Sequence, residues 1–125
     1  MKNVYTWAAK PAKRSTTVGD LKAAKGKRKF TQVTANTVDE AAAAEKAGFD
    51  MIIANTKNII PVREGSKNLF LTAALVLNEF VTADDIMRGA FKALENGADA
   101  VMTPRSMDIV EMLAKEDVPV MGHLG

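Results

Sequence analysis

Three times along the chain a helix-like run passes through a short polar joint into an apolar stretch. Ala47-Gly48-Phe49-Asp50 leads into Met51-Ile52-Ile53, Asn96-Gly97-Ala98-Asp99 into Ala100-Val101-Met102, and Lys115-Glu116-Asp117 into Val118-Pro119-Val120. Gly48 and Gly97 stand where a left-handed residue ends a helix at little steric cost. Helix, turn and buried strand, repeated, are the grammar of a parallel α/β sheet. Such sheets carry their chemistry at the C-terminal ends of the strands, which is where candidate residues are sought.

The intervening pattern fills in the elements. Residues 1–16 read as an N-terminal extension, with Tyr5 and Trp7 available to pack on the body. Thr17, with Asp20 three positions on, makes a capping-box start for a short helix that Gly26 ends. Residues 30–35 read as a strand. Thr37 and Glu40 open an alanine-rich helix, and residues 51–54 form the next strand. A third strand covers residues 69–74, after a connection barely long enough for a crossover. Thr82 and Asp85 then cap a helix whose apolar positions Ile86, Ala90, Ala93 and Leu94 recur at helical spacing. Residues 100–102 are a fourth strand, Ser106 caps a helix with the face Val110, Leu113 and Ala114, and residues 118–121 are a fifth.

Five parallel strands form either an open twisted sheet or part of an eight-stranded barrel, which takes around 250 residues. At least one edge strand is then left to be covered by another copy or chain, so a homo-oligomer or a fragment is expected. The domain reading is an extension over 1–16 and a partial (β/α) barrel over 17–125.

Composition narrows the class without naming a function. Hydrophobic residues make up 47% and charged residues 26% of the chain, as in an ordinary soluble protein. The absence of Cys excludes a disulfide framework and a thiolate site. No apolar run approaches a membrane span and no signal-peptide core opens the chain, so a cytoplasmic location is expected, without a membrane partner. Charge is unevenly spread: residues 1–29 carry nine Lys/Arg against Asp20 alone. Such a start fits a mitochondrial transit segment or an anion-binding arm, although a solvated, fraying tail is the commoner case. The run from Lys25 to Lys29 also suits the negative end of the preceding helix. No recognition motif accompanies the basic residues, so no nucleic-acid partner is expected.

The strand ends supply the candidate chemistry: Thr34 and Asn36, then Asn55, Thr56 and Lys57, then Thr103-Pro104-Arg105-Ser106, and finally His123. Parallel strands bring these to one rim. Asn55, Thr56, Lys57 and Arg105 are read as substrate-binding. His123, the single histidine, stands between Gly122 and Gly125 and is read as the catalytic candidate, since imidazole exchanges protons near neutral pH. No metal-ligand cluster is visible. Most carboxylates fall on helices, whereas Asp50 and Asp99 precede their strands, at the far end of the sheet. No phosphate-cradling glycine loop occurs.

The runs Thr17-Val18-Gly19-Asp20-Leu21-Lys22, Lys25-Gly26-Lys27-Arg28-Lys29, Val33-Thr34-Ala35, Ala47-Gly48-Phe49-Asp50 and Val118-Pro119-Val120-Met121-Gly122-His123-Leu124-Gly125 resemble ketopantoate hydroxymethyltransferase, also called 3-methyl-2-oxobutanoate hydroxymethyltransferase. The likeness spans residues 17–125 and corresponds to the N-terminal half of that enzyme. It implies a (β/α)8 barrel of the phosphoenolpyruvate/pyruvate-binding type and a transferase of pantothenate biosynthesis. The implied reaction moves a hydroxymethyl group from methylenetetrahydrofolate to a small 2-keto acid. Magnesium is expected of the family, holding the keto acid and stabilising its enolate. The polar positions depart from the pattern. Asn36-Thr37 stand for Tyr-Asp and Asn55-Thr56-Lys57 for Gly-Asp-Ser. Ala74 stands for a further metal-site Asp, and Met102-Thr103-Pro104-Arg105-Ser106 for Lys-x-Glu-Gly-Gly. Of the characteristic polar set, His123 is retained. Two alternatives follow: a non-catalytic keto-acid-binding or assembly protein, and a metal-independent relative that forms or breaks C–C bonds. In the latter, Lys57 or Arg105 holds the substrate carboxylate.

Overall fold

A computed structural model of the chain describes residues 1–124. The order of elements is a hairpin, β1 (Lys2–Tyr5) and β2 (Pro11–Arg14), then α1 (Val18–Ala23), β3 (Gln32–Thr34), α2 (Val38–Lys46), β4 (Met51–Asn55), a 3-10 turn (Thr56–Asn58), α3 (Ile59–Gly65), β5 (Phe70–Ala74), α4 (Ala83–Glu95), β6 (Ala100–Thr103), α5 (Met107–Lys115) and β7 (Val120–Gly122). The sheet runs β3-β4-β5-β6-β7, every neighbour parallel and in chain order. A doubly wound sheet reverses its order at a switch point; this one never does, which makes it an arc of an α/β barrel.

The joints and the three threonine caps work as the residue types dictate, whereas Ser106 stands at the start of α5 without a side-chain capping hydrogen bond. Gly48 and Gly97 hold positive φ at 82° and 116°, while Asp117 adopts φ 59° at the third joint, where no glycine is available. Thr17 with Asp20, and Thr82 with Asp85, form complete capping boxes. Thr37 caps α2 through Glu40 N–H, but the Glu40 carboxylate reaches one residue further back, to Asn36 N–H at 2.8 Å.

Alternation along the strands separates two faces. Ile52 and Ala54, Leu71 and Ala73, and Val101 face the helices. They pack in one core with Ala41 and Ala44 of α2, Val62 of α3, Ile86, Ala90 and Leu94 of α4, and Leu113 of α5. On the opposite, concave face, Met51, Phe70 and Ala100 form a separate layer at the strands' N-terminal ends. Val18 and Leu21 of α1 and Phe30 cover it, so α1 floors the arc.

Three sequence expectations change. Residues 1–16 fold as a hairpin docked on the barrel: Trp7 lies 5.2 Å from the Phe91 ring, Ser15 N–H donates to Asn68 C=O, and Arg14 is buried. The short connection between the second and third expected strands contains α3, a helix not expected there. Pro61 sits in the first turn, where backbone N–H groups lack partners anyway, so it is tolerated. At the other end of α3, Gly65 lies so close to the Val38 backbone of α2 that a Cβ would collide with it. That close approach lets seven helical residues complete the crossover. The strand expected over residues 30–35 pairs only through β3.

Candidate functional site at the C-terminal rim

Each strand changes from apolar to polar as it leaves the sheet. Asn55, Ala74, Met102 and Met121 form one row across β4 to β7. With neighbouring strands about 4.8 Å apart, that row measures roughly 14 Å along the sheet. His123 lies two residues beyond Met121 and is exposed, so it and Asn55 share a rim without touching. Gly122 lets the end of β7 pass close to α5, where a Cβ would lie 3.1 Å from Met107 Cε. Gly125, read with Gly122 as flanking His123, lies outside the described residues.

At the β3–β4 end the structure joins residues that the sequence presents separately. Asn36 Oδ1 accepts from Asn55 N–H at 2.9 Å and from Asn58 Nδ2 at 3.1 Å. Asn55 Oδ1 accepts from Lys57 N–H at 3.1 Å and from the Thr56 hydroxyl at 3.4 Å. Lys57 itself extends into solvent. Asn58 was missed as a member of this cluster, although its spacing from Asn55, three positions on, is that of one helical turn. Glu40 was read only as a cap, yet it anchors the Asn36 backbone.

Arg105, read as a substrate-holding cation, also braces the rim through one guanidinium nitrogen. Its Nη2 donates to the carbonyls of Leu77 at 2.8 Å and Phe80 at 2.9 Å, tying the end of β6 to the β5–α4 loop. Its backbone N–H donates to Thr103 Oγ1 at 3.2 Å, and its Nε is buried without a partner. In the same loop the Phe80 ring covers Gly89 so tightly that no Cβ fits there.

The donor set does not suit magnesium. That ion demands six oxygens in near-ideal octahedral array, usually with a carboxylate or two. Here the Asn36 and Asn55 amide oxygens already accept two hydrogen bonds each, and Thr56 and Ala74 contribute no charge. Among the described residues no group of three or more His, Asp or Glu is gathered for a metal.

The acids that do lie beside the strands serve the floor. Asp99 accepts from Arg14 Nε at 2.8 Å and 3.0 Å, from Arg63 Nη2 at 2.8 Å and from Leu71 N–H at 2.9 Å. Burial draws the Arg63 pKa down, and Asp99 partly restores it. Asp50 accepts from Thr31 N–H at 2.8 Å, from the Thr31 hydroxyl and from Arg28 at 2.7 Å. The Thr31 N–H, more than Arg28, holds its carboxyl below the usual range. A hollow of about 400 Å³ near α1 is lined by Lys2, Asp20, Arg28 and Phe30. Its two cations are already paired, Lys2 with Asp20 and Arg28 with Asp50, so the basic start of the chain leaves no strong anion site there.

Parallel strands in chain order, with their helices on one face, define the class as a partial α/β barrel. Two solved structures share that fold. A rubisco-like protein from Burkholderia fungorum superposes with a TM-score of 0.57 at 14% identity, over 90% of this chain and 35% of that one. A second, from Alicyclobacillus acidocaldarius, gives 0.50 at 16% identity over 89% and 36%.

In sequence, the chain is related to the ketopantoate hydroxymethyltransferases. The 3-methyl-2-oxobutanoate hydroxymethyltransferase of Kosmotoga olearia is 33% identical over 126 residues, covering 81% of this chain and 47% of that enzyme. The enzyme of the same name from Deinococcus radiodurans is 32% identical, over 77% and 43%. That from Pyrobaculum calidifontis is 31% identical, over 90% and 52%. The chain thus spans about half the length of these relatives, consistent with their N-terminal half. No protein-family model matches the chain. No helix among the described residues is long and apolar enough to cross a membrane.

Proposed function

We propose that this chain is the keto-acid-binding arc of a hydroxymethyltransferase-type barrel. It takes a small branched 2-keto acid at the rim formed by Asn55, Thr56, Lys57 and His123. The observation that carries the reading is the identity of about one third to enzymes of that name over most of the chain. The rim supports it in kind. Amides and an ammonium suit the acid's oxygens, while the exposed Leu77 and Leu124 suit its alkyl end.

In this reading Lys57 attracts the carboxylate, and His123 takes the proton from the carbon beside the ketone. The enolate oxygen then gains charge that fixed N–H donors stabilise. Arg105 positions the β5–α4 loop beside the mouth rather than contacting substrate. Methylenetetrahydrofolate would supply the one-carbon unit. Phe80, half-buried against Gly89, is the aromatic residue of the rim loops, and no step is routed through the pterin. A homo-oligomer, in which a second copy covers an open edge of the sheet, belongs to the same reading.

Solvent deuterium exchange at the α-carbon of 3-methyl-2-oxobutanoate tests this. The expected result is saturable binding, with exchange above the buffer rate that falls at least tenfold in His123→Ala. Binding without exchange favours a binder. Absence of binding removes the proposal.

A further inference from the structure

We infer that the Asn36–Asn55 cluster is an oxyanion site that works without a metal ion, with both side-chain amide NH2 groups and the Lys57 ammonium as its donors. The inference rests on the rim being the ligand site, and adds which chemistry it accepts. An asparagine side chain offers one acceptor oxygen and two N–H donors, and the orientation decides which end faces a ligand.

Here orientation is fixed by partners that can only donate. Asn55 N–H points at Asn36 Oδ1, and Lys57 N–H points at Asn55 Oδ1. Neither amide can turn over without placing N–H against N–H. Second donors, Asn58 Nδ2 and the Thr56 hydroxyl, occupy the remaining lone pairs of the two oxygens. Both Nδ2 groups are therefore left facing away from their backbone partners, and among the described residues neither has a protein acceptor. Lys57, exposed two residues after Asn55, has no acidic partner among the described residues either.

Two neutral oxygens remain, on Thr56 and Asn58, which is far from the charged set that a divalent cation requires. The Glu40 carboxylate meets the cluster through the Asn36 backbone, its Oε2 accepting from Asn36 N–H at 2.8 Å, and not through either side-chain amide. The cluster thus offers N–H groups and a positive charge, which matches a carboxylate and opposes a cation. The same hydrogen bonds that stiffen the turn after β4 produce this polarity.

The side-chain NH2 resonances of Asn36 and Asn55 provide a direct readout. Titration of the labelled chain with 3-methyl-2-oxobutanoate, and separately with acetate, should shift both pairs, whereas magnesium chloride alone should shift neither. Asn36→Asp and Asn55→Asp keep an oxygen where the backbone needs it and replace NH2 by a charged oxygen. Each should weaken anion binding at least tenfold. Amide signals that stay put with every anion, shifts that require magnesium, or aspartate variants that bind as tightly as the parent would overturn the inference. Should a variant fail to fold, the titration of the parent chain decides alone. If acetate and the keto acid bind equally well through these amides, the oxyanion site stands and the keto-acid reading falls.

Discussion

The two ends of this sheet solve opposite problems with similar residues. At the floor, Asp50 and Asp99 stand immediately before their strands, and every acid oxygen meets a donor from another element. At the rim, the strand-end residues are mostly amides, hydroxyls and cations, and the acids on that side lie in the first turns of α2, α4 and α5 and, as Glu79, in the exposed β5–α4 loop. The floor consumes its polar groups internally; the rim leaves N–H groups over. Satisfied charges close to the core hold a fold together, and unsatisfied donors at an open edge are what a ligand can use. The division of labour between stability and binding is thus written in where hydrogen bonds are left incomplete.

The largest test of that contrast is Asp99→Ala. Asp99 holds two guanidiniums, and Arg14 is only 4% exposed. Removing the carboxylate leaves two positive charges facing one another with little water, and breaking such a buried pair costs about 3–5 kcal/mol. Urea denaturation should show a loss of that size, together with faster amide exchange in the hairpin that Arg14 docks. A loss below about 1 kcal/mol would mean that the floor is solvated, and the contrast would collapse.

The same distinction explains what could be read without a structure. Capping boxes and joint glycines are local: Thr17 and Asp20, Thr82 and Asp85, Gly48 and Gly97 each declare a helix end within four residues. Strand alternation with helices then yields the parallel α/β class, with open sheet and barrel both allowed until the family resemblance favours the barrel. The Arg14–Asp99–Arg63 cluster joins residues 85 and 36 positions apart, and nothing local announces it. For that reason the basic start looked like a fraying arm. α3 is only seven residues long and includes Pro61, which a helix tolerates only in its first turn, so no local signal declares it. At the rim the residue types were visible, but their polarity was not. Which end of Asn36 faces outward depends on Asn55 N–H, nineteen residues away. Arg105 looked like a free cation until its carbonyl partners, Leu77 and Phe80, were seen.

Thr72 lies between the two regimes, on the concave face one layer below the Asn55 row, fully buried with no partner for its hydroxyl. If that layer is dry interior, Thr72→Val removes an unsatisfied polar group at constant shape and should stabilise the chain by about 1 kcal/mol. A melting temperature that falls would show that the hydroxyl has a partner in solution, and would extend the working rim a layer deeper into the arc.

The smallest effect expected concerns Asp50, and its sign follows from linkage. Thr31 N–H and then Arg28 lower its folded pKa beneath the unfolded value of 3.8. A depressed carboxyl contributes stability that is fully present above the unfolded pKa and is lost as pH falls through the folded one. Asp50→Asn cannot titrate, so it should be less stable than the parent at pH 7, with the gap narrowing below pH 3.8. Asp20 and Asp85 are lowered too, each chiefly by a single hydrogen bond, Asp20 by Lys2 and Asp85 by Thr82 N–H. They act in the same acid window, so the variant should reduce the parent's acid sensitivity without abolishing it. Denaturation midpoints of both proteins from pH 7 to pH 2 measure this directly. A gap that stays constant over that range would show Asp50 to be an ordinary surface carboxylate and remove it from the floor's structural acids.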